Sequence, residues 1–334
     1  MKILVTGGTG YIGTRLGKYL ADRGEHVRLF GLPMPNADVM RHDRIEVLEG
    51  NILDRSMIQK AMAGCNRVYH LAAYARNWAK DSGTFCEVNV EGTRNVLETA
   101  FELCVNKVLF TSSNVTYGPS NGSPVNECTR RTVPFFTEYE RSKAIAEQLV
   151  RQYVQRGLHA VIVNPTRVFG PGALTESNSA TKMICRYVQG KWRLILGDGR
   201  AKGNYVFVDD LVKGHALAME HGRPGENYIL GGENISFEEF FVHLAAAAGR
   251  QYRMFHLPAS IALAFSRFEQ FRATWFQHFP MITPGWVKTF MADWVYSSDK
   301  AQHELGYTIT PFGWALKRTL EWFESEIGLN TVLN

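Results

Sequence analysis

The chain has 334 residues, 45% of them hydrophobic and 21% charged, with 37 basic and 32 acidic side chains for a net charge of +5. This excludes a disordered chain and leaves enough apolar material for one large α/β domain with a smaller appendage. The basic residues form no long block, so nucleic acid is not an expected partner. The five cysteines and ten histidines form no CxxC, HxxxH or HExxH, so no metal site is expected and the thiols read as reduced.

The N-terminus begins like a signal peptide, but Gly7, Gly8 and Gly10 interrupt the apolar run. No stretch approaches the roughly 18 apolar residues of a membrane span. A cytoplasmic location without stable membrane insertion is therefore expected. β-branched runs at 3–6, 27–30, 45–48, 68–70, 107–111 and 160–163 read as six strands. Helical patterns at 12–22, 55–63, 89–103 and 138–155 lie between them. Strands alternating with helices predict an α/β fold built on a doubly wound parallel sheet. After Gly170-Pro171-Gly172 the alternation breaks. A helix is expected near 183–188, strands at 205–208 and 228–230, and a helix at 210–220. Residues 1–169, with 204–231 returning to them, are expected to form the nucleotide domain. Residues 170–203 and 232–334 are expected to form a smaller, mostly helical substrate subdomain. Phe265, Phe268, Phe271, Trp275, Phe276, Phe279, Trp286 and Trp294 are expected to pack that subdomain's core or to line an apolar cleft, a membrane-surface role for Ile261–Phe271 being a minor alternative.

Gly7, Gly10 and Gly13 follow the first strand and open the first helix in a GxxGxxG pattern. Glycines there permit a tight turn, close approach of backbone N–H groups to a pyrophosphate, and close helix–sheet packing. An acid at the end of the second strand would hold NAD ribose hydroxyls and repel a 2′-phosphate. Gly31 stands there instead, and Arg41, His42 and Arg44 follow as candidate phosphate partners. NADP(H) is therefore favoured, with NAD(H) as the alternative. Tyr139 and Lys143 stand four apart on one predicted helix, where a cation stabilises a phenolate and makes the tyrosine a usable proton donor. Tyr187…Lys191 and Tyr296…Lys300 repeat the spacing outside a comparable context. The fifth strand ends in Thr111-Ser112-Ser113-Asn114, where ligands of such sheets bind and where a serine hydroxyl can bond a substrate carbonyl.

The order of these pieces, with His70-Leu71-Ala72-Ala73, Asn89-Val90-Glu91-Gly92-Thr93, Asn164-Pro165, Gly170-Pro171-Gly172, Val208-Asp209-Asp210 and Asp299-Lys300-Ala301, resembles the extended short-chain dehydrogenase/reductases over nearly the whole chain. The resemblance implies a Rossmann-type fold. It implies Tyr139 as acid/base, Lys143 on the nicotinamide ribose and Ser113 as the polarising hydroxyl, because the family serine lies four before the tyrosine of a closing Tyr-Gly pair, here Tyr117. Asn89 is similar to the family asparagine that braces the sheet, a helix-start cap being the other reading. Cofactor contacts are implied for Gly7, Thr9, Gly10, Tyr11, Ile12, Gly31, Asn51, Ile52, Leu71, Ala72, Ala73, Lys143, Pro165 and Val168, with Asn51 replacing the usual aspartate. Within the family the chain looks most like the dihydroflavonol-4-reductase and 3β-hydroxysteroid dehydrogenase branch. That branch implies reduction of a small-molecule ketone or aldehyde on an apolar body. Nucleotide-sugar epimerases and dehydratases with tightly bound NAD are the rival, set back because Gly203 stands where they carry an arginine for the diphosphate. Arg200 and Lys202 are the nearby substitutes. A cofactor-sensing regulator without catalysis is the third reading, although this chain keeps both Tyr139 and Lys143. A homodimer paired through sheet-flanking helices is also implied.

Overall fold

A computed structural model describes residues 2–33, 42–174, 178–276 and 278–327. The chain runs β1 (Lys2–Thr6), α1 (Tyr11–Asp22), β2 (His26–Gly31), β3 (Ile45–Glu49), α2 (Arg55–Met62), β4 (Arg67–His70), α3 (Gly83–Cys86), α4 (Gly92–Glu102), β5 (Lys107–Thr111), α5 (Glu138–Gln155) and β6 (Ala160–Pro165). It continues through β7 (Arg167–Phe169), α6 (Ser179–Val188), β8 (Leu194–Leu196), β9 (Lys202–Phe207), α7 (Val208–His221), β10 (Asn227–Leu230), β11 (Glu233–Ser236) and α8 (Phe237–Ala248). The last elements are β12 (Phe255–Leu257), α9 (Ala259–Phe276), α10 (Pro284–Met291), α11 (Asp299–Leu305) and α12 (Phe312–Ile327).

Seven parallel strands form the central sheet in the order β10-β6-β5-β4-β1-β2-β3. The order reverses beside β1, which opens a crevice at the carboxyl ends of β1 and β4. The six strands expected from the sequence are all present, and β10 adds a seventh. By contrast β9 joins β7 and β11 in a separate three-stranded sheet. The strands are apolar on both faces because helices cover both. In β5, Val108 and Phe110 enter the core against α4 and α5, while Leu109 enters the opposite core with α1, α7 and α11. The same alternation divides Ala160 and Ile162 from Val161 and Val163 in β6. A third core fills the C-terminal part, where Phe169, Tyr205, Phe240 and Phe312 meet with ring centroids 5.0–5.9 Å apart in the Phe169–Phe312, Tyr205–Phe240, Tyr205–Phe312 and Phe240–Phe312 pairs.

The helix expected at 89–103 starts earlier and is not uniform. A π-helical turn, Glu87–Glu91, joins α3 to α4. Such a turn admits one extra residue and re-aims side chains, and Asn89 lies within it. Asn89 therefore does not cap a helix start. It spans from the loop after β4 to α5, accepting from Tyr74 N at 2.7 Å and donating to Ser142 Oγ at 2.9 Å.

Two expectations for the aromatic C-terminal stretch separate. Trp294 is 1% exposed and stacks near Tyr296, and Trp286 stacks on Phe290 at 4.1 Å. Phe265, Phe268, Phe271, Trp275, Phe276 and Phe279 instead face solvent, and none of them lines the central cleft. The small side chains of α9, Ala262, Ser266 and Ala273, occupy its buried face, which leaves the large ones outside.

Candidate active site

A cleft of about 550 Å³ opens at the carboxyl ends of the central strands. Ser113, Tyr139 and Lys143 line it together with every residue expected to hold a cofactor: Gly7, Thr9, Gly10, Tyr11, Ile12, Gly31, Asn51, Ile52, Leu71, Ala72, Ala73, Pro165 and Val168.

The glycine loop is a backbone cradle. Gly7 has φ +69°, and a Cβ there would lie 2.6 Å from the backbone nitrogen of Ala72. A Cβ at Gly13 would lie 2.2 Å from the carbonyl oxygen of Gly7. Side chains are excluded from both positions, so α1 begins hard against the turn. Its N-cap, Gly10, supplies no side-chain bond, and the first turn carries no acidic residue. Those N-terminal amides suit a phosphate. The donor set and the cradle together fit a dinucleotide.

At the far end of β2 the space over Gly31 is taken by Thr9, whose hydroxyl donates to Leu32 O at 3.0 Å. A Cβ at Gly31 would stand 2.5 Å from that hydroxyl oxygen. The expected phosphate partners are not here. Arg44 donates to Gly24 O at 3.0 Å and sits beside His26, at the start of β2, and His42 faces Asp22. Gly31 lies five residues further along the strand, roughly 17 Å away at the strand rise. Pairing of β2 with β3 in parallel places the segment before β3 at the opposite end of the sheet from the cleft. Arg41 lies outside the described residues. Asn51 accepts from Leu53 N at 3.0 Å through Oδ1, which leaves that oxygen one further lone pair.

Strand alternation sorts the three hydroxyls at the end of β5. Thr111 faces α7 and bonds His215 at 3.0 Å. Ser112 shares the face of Val108 and Phe110, and donates to Glu147 of α5 at 2.5 Å. Ser113 leaves the strand as the cap of a one-turn 3₁₀ helix, Asn114–Thr116, and reaches Tyr139 in the cleft. Tyr117, a further hydroxyl of this loop, turns toward Asn227 and does not line the cleft.

Tyr139, Lys143 and Glu147 stand four apart and share one face of α5. Thr137 caps this helix through Glu140 N. Buried Glu140 and half-buried Arg131, 2.7 Å apart, pin the preceding loop. Lys143 donates to Thr111 O at 2.7 Å and lies 4.3 Å over the Phe110 ring. Burial pushes its ammonium down to about 7, opposed by the charge of Glu147. Burial pushes the Tyr139 phenol up to about 12, opposed only by the neighbouring Ser113 hydroxyl. The expected lowering of the tyrosine by Lys143 is therefore not what the structure gives, because desolvation of the phenolate dominates and Lys143 is not among the groups that oppose it. His70 is held neutral near the site. Burial and the Lys143 charge push it down to about 3, and its ring nitrogens bond Thr6 and Thr93.

Two residues at the substrate end were not read from the sequence. Arg167, two residues beyond Pro165, donates to Tyr205 OH at 3.3 Å and Thr289 O at 3.4 Å, and lies 4.4 Å over Phe290. Its guanidinium fills the space beside Gly203, where a Cβ would come within 2.5 Å of it. Arg200 and Lys202 are exposed and do not line the cleft. Arg76 stands at the rim, 5.7 Å over Tyr74 and 5.1 Å over Phe279. Among the described residues neither arginine has a carboxylate within 4 Å, and no Asp or Glu lines the cleft. The signal for Arg167 was its place directly after the Asn164-Pro165 strand end.

A model of the NAD dependent epimerase/dehydratase family matches residues 3–231. A Synechocystis protein named provisionally as a dihydroflavonol 4-reductase is 29% identical, with 96% of this chain and 94% of that one covered. Sterol demethylase protein B of Methylococcus capsulatus is 30% identical, with 97% and 98% covered. The UDP-glucose 4-epimerase of Thermus thermophilus, solved in complex with NAD, shares the fold with a TM-score of 0.81 at 23% identity, covering 98% of this chain and 100% of that one. The fold and cleft are those of an extended short-chain dehydrogenase/reductase. The chain belongs to the NAD-dependent epimerase/dehydratase family and is an oxidoreductase-type enzyme acting on a small molecule.

The depressed Lys143 gives a signed pH dependence. Between about 7 and its ordinary 10.5 the unfolded chain binds a proton that the folded chain does not, so stability rises with pH through that window. Urea unfolding at about pH 7 and about pH 9.5 should show a steeper rise in the parent than in Lys143→Met, by up to about 1.4 kcal/mol per pH unit. Equal slopes would show that Lys143 is not desolvated.

Proposed function

We propose that the chain reduces a ketone or aldehyde on a largely apolar small molecule, with Tyr139 as general acid. The observation that carries this is the Ser113 and Tyr139 hydroxyls, which stand beside each other in a cleft that no described carboxylate lines. A nicotinamide cofactor supplies the hydride when bound, held by the glycine cradle, Asn51, Ile52, the Leu71-Ala72-Ala73 segment, Pro165, Val168 and Lys143. A carbonyl oxygen between Ser113 and Tyr139 would accept both O–H groups. As negative charge builds on that oxygen, both bonds strengthen, which lowers the barrier more than it stabilises the substrate. Burial holds Tyr139 as the neutral phenol, the form that can give a proton. Lys143, tethered to Thr111 O, is the group to hold the ribose hydroxyls. Tyr139→Phe keeps the ring and removes the proton, so cofactor binding should persist while turnover in a carbonyl panel falls roughly 10²–10⁴-fold. Near-normal reduction by Tyr139→Phe would remove it from the acid role.

We infer NADP(H) rather than NAD(H) from the end of β2, where Gly31 and exposed Leu32 offer no charge to repel a 2′-phosphate. With His42 and Arg44 at the other end of the sheet, this preference rests on lack of repulsion and should be modest. Gly31→Asp alone would strike Thr9, so the informative variant is Thr9→Ala/Gly31→Asp. Calorimetric titration should show NADP(H) tighter in the parent and NAD(H) tighter in the double variant. Equal or tighter NAD(H) binding by the parent contradicts the inference.

One observation favours a second reading, a nucleotide-sugar epimerase or dehydratase. Arg167 brings a guanidinium, with N–H donors to spare, into the space left by Gly203. Arg167→Gln separates the two. It should raise KM for a nucleotide-diphosphate sugar by about tenfold or more, the worth of a charged hydrogen bond, and leave KM for a neutral ketone nearly unchanged. Sugar-nucleotide turnover without net change in NAD(P)H absorbance would favour the second reading.

A further inference from the structure

The apolar face of α9 points the wrong way for a helix of a water-surrounded subdomain. Ile261, Phe265, Phe268, Phe271, Trp275 and Phe276 project within one broad stripe of this 18-residue helix, and all are exposed, Trp275 at 72% and Phe276 at 75%. Amphipathic helices of folded domains bury such a stripe. Here the buried side carries Ala262, Ser266 and Ala273 instead. The patch continues past the helix through Phe279 and Met281, which is 80% exposed. Phe279 meets Trp78 edge-on at 5.3 Å and lies under Arg76, which lines the cleft. The patch therefore ends at the cleft mouth. A cluster of large exposed apolar side chains, with Arg272 lying over Phe268 among them, marks an interaction site.

Charge says what covers it. From residue 253 to 288 the chain carries Arg253, Arg267, Arg272 and Lys288 against one carboxylate, Glu269, which is buried and bonded to Arg272 at 2.9 Å. Among the described residues Arg253, Arg267 and Lys288 have no carboxylate within 4 Å. A second copy of the chain would bring like charges together. An anionic lipid surface would meet them with opposite charge, and an aromatic stripe flanked by cations is the form that lies in a bilayer interface. No described helix is long and apolar enough to cross a membrane.

We propose that α9, with Phe279 and Met281, binds peripherally to an anionic lipid surface, setting the cleft mouth at the edge of the bilayer. The inference does not depend on which substrate the cleft accepts. Phosphatidylcholine vesicles with and without phosphatidylglycerol serve as probes in a sedimentation assay of the full chain. Sedimentation is expected with the anionic vesicles, and brominated acyl chains should quench part of the tryptophan emission of the parent and less of it in Trp275→Phe. Arg267→Gln/Lys288→Gln should weaken binding to anionic vesicles by about tenfold or more, at about 1 kcal/mol per basic residue near the surface. Phe268→Glu/Trp275→Glu should abolish sedimentation while the cofactor affinity stays unchanged. Quenching in the unaltered protein keeps the test decisive if that variant fails to fold. No sedimentation and no quenching with either vesicle would overturn the proposal. So would a dimer, dissociated by the same glutamates, in a chain that ignores vesicles, because the stripe would then be covered by a second copy.

Discussion

A single buried carboxylate holds the working end of the molecule together. Glu147 accepts from Ser112 at 2.5 Å, Thr116 at 3.0 Å and Asn164 at 2.7 Å through one oxygen, and from Asn227 and Arg151, both at 3.3 Å, through the other. These donors come from the end of β5 and its following turn, from β6, from β10 and from α5 itself. A carboxylate out of water is costly unless donors replace its hydration, and here five do. Its satisfaction fixes how deep α5 lies against three strand ends. Tyr139 is two turns back on that helix, and Asn164 of the same network also donates to Ser113 O at 3.1 Å. The meeting of Ser113 with Tyr139 is a consequence of that anchoring.

The same depth of burial sets the acid–base character of the site. Desolvation acts on both partners of the Tyr139…Lys143 pair and moves each toward its neutral form. A neutral phenol and an easily discharged amine form a site in which proton transfer costs little reorganisation. Neutral His70, bonded on both sides to threonines, lets the β4 end be buried beside Lys143 without adding a second positive charge.

Around this core the charges divide by position. The cofactor side relies on backbone and small apolar residues, with Lys143 the one cation that reaches it among the described lining residues. The substrate side has two arginines held from behind by aromatic rings and carbonyls. Beyond them the surface becomes apolar along α9. Backbone and guanidinium follow one another along the cleft, and the aromatic stripe begins outside its mouth, so the inner end suits a phosphate-bearing cofactor.

Much of this was legible in the chain. The alternation of β-branched runs with helical patterns determined the parallel sheet, since local periodicity dictates which faces must be buried. The glycine triplet and the four-residue step from Tyr139 to Lys143 are likewise local, because a tight turn and one helix face each span only a few residues. Tertiary structure decided the rest. Only the strand register sent Arg44 to the far end of the sheet from Gly31, and only the packing beside Gly203 gave the Arg167 guanidinium its space, although its place after Asn164-Pro165 put it near the strand end. The outward turn of Phe268 and Trp275 was equally hidden, since composition tells that a stripe is apolar but not which side meets a neighbour. Even the direction of the Tyr139 shift needed the fold. A cation four residues away is visible in sequence, whereas the amount of water removed from a phenol depends on every element that packs over it.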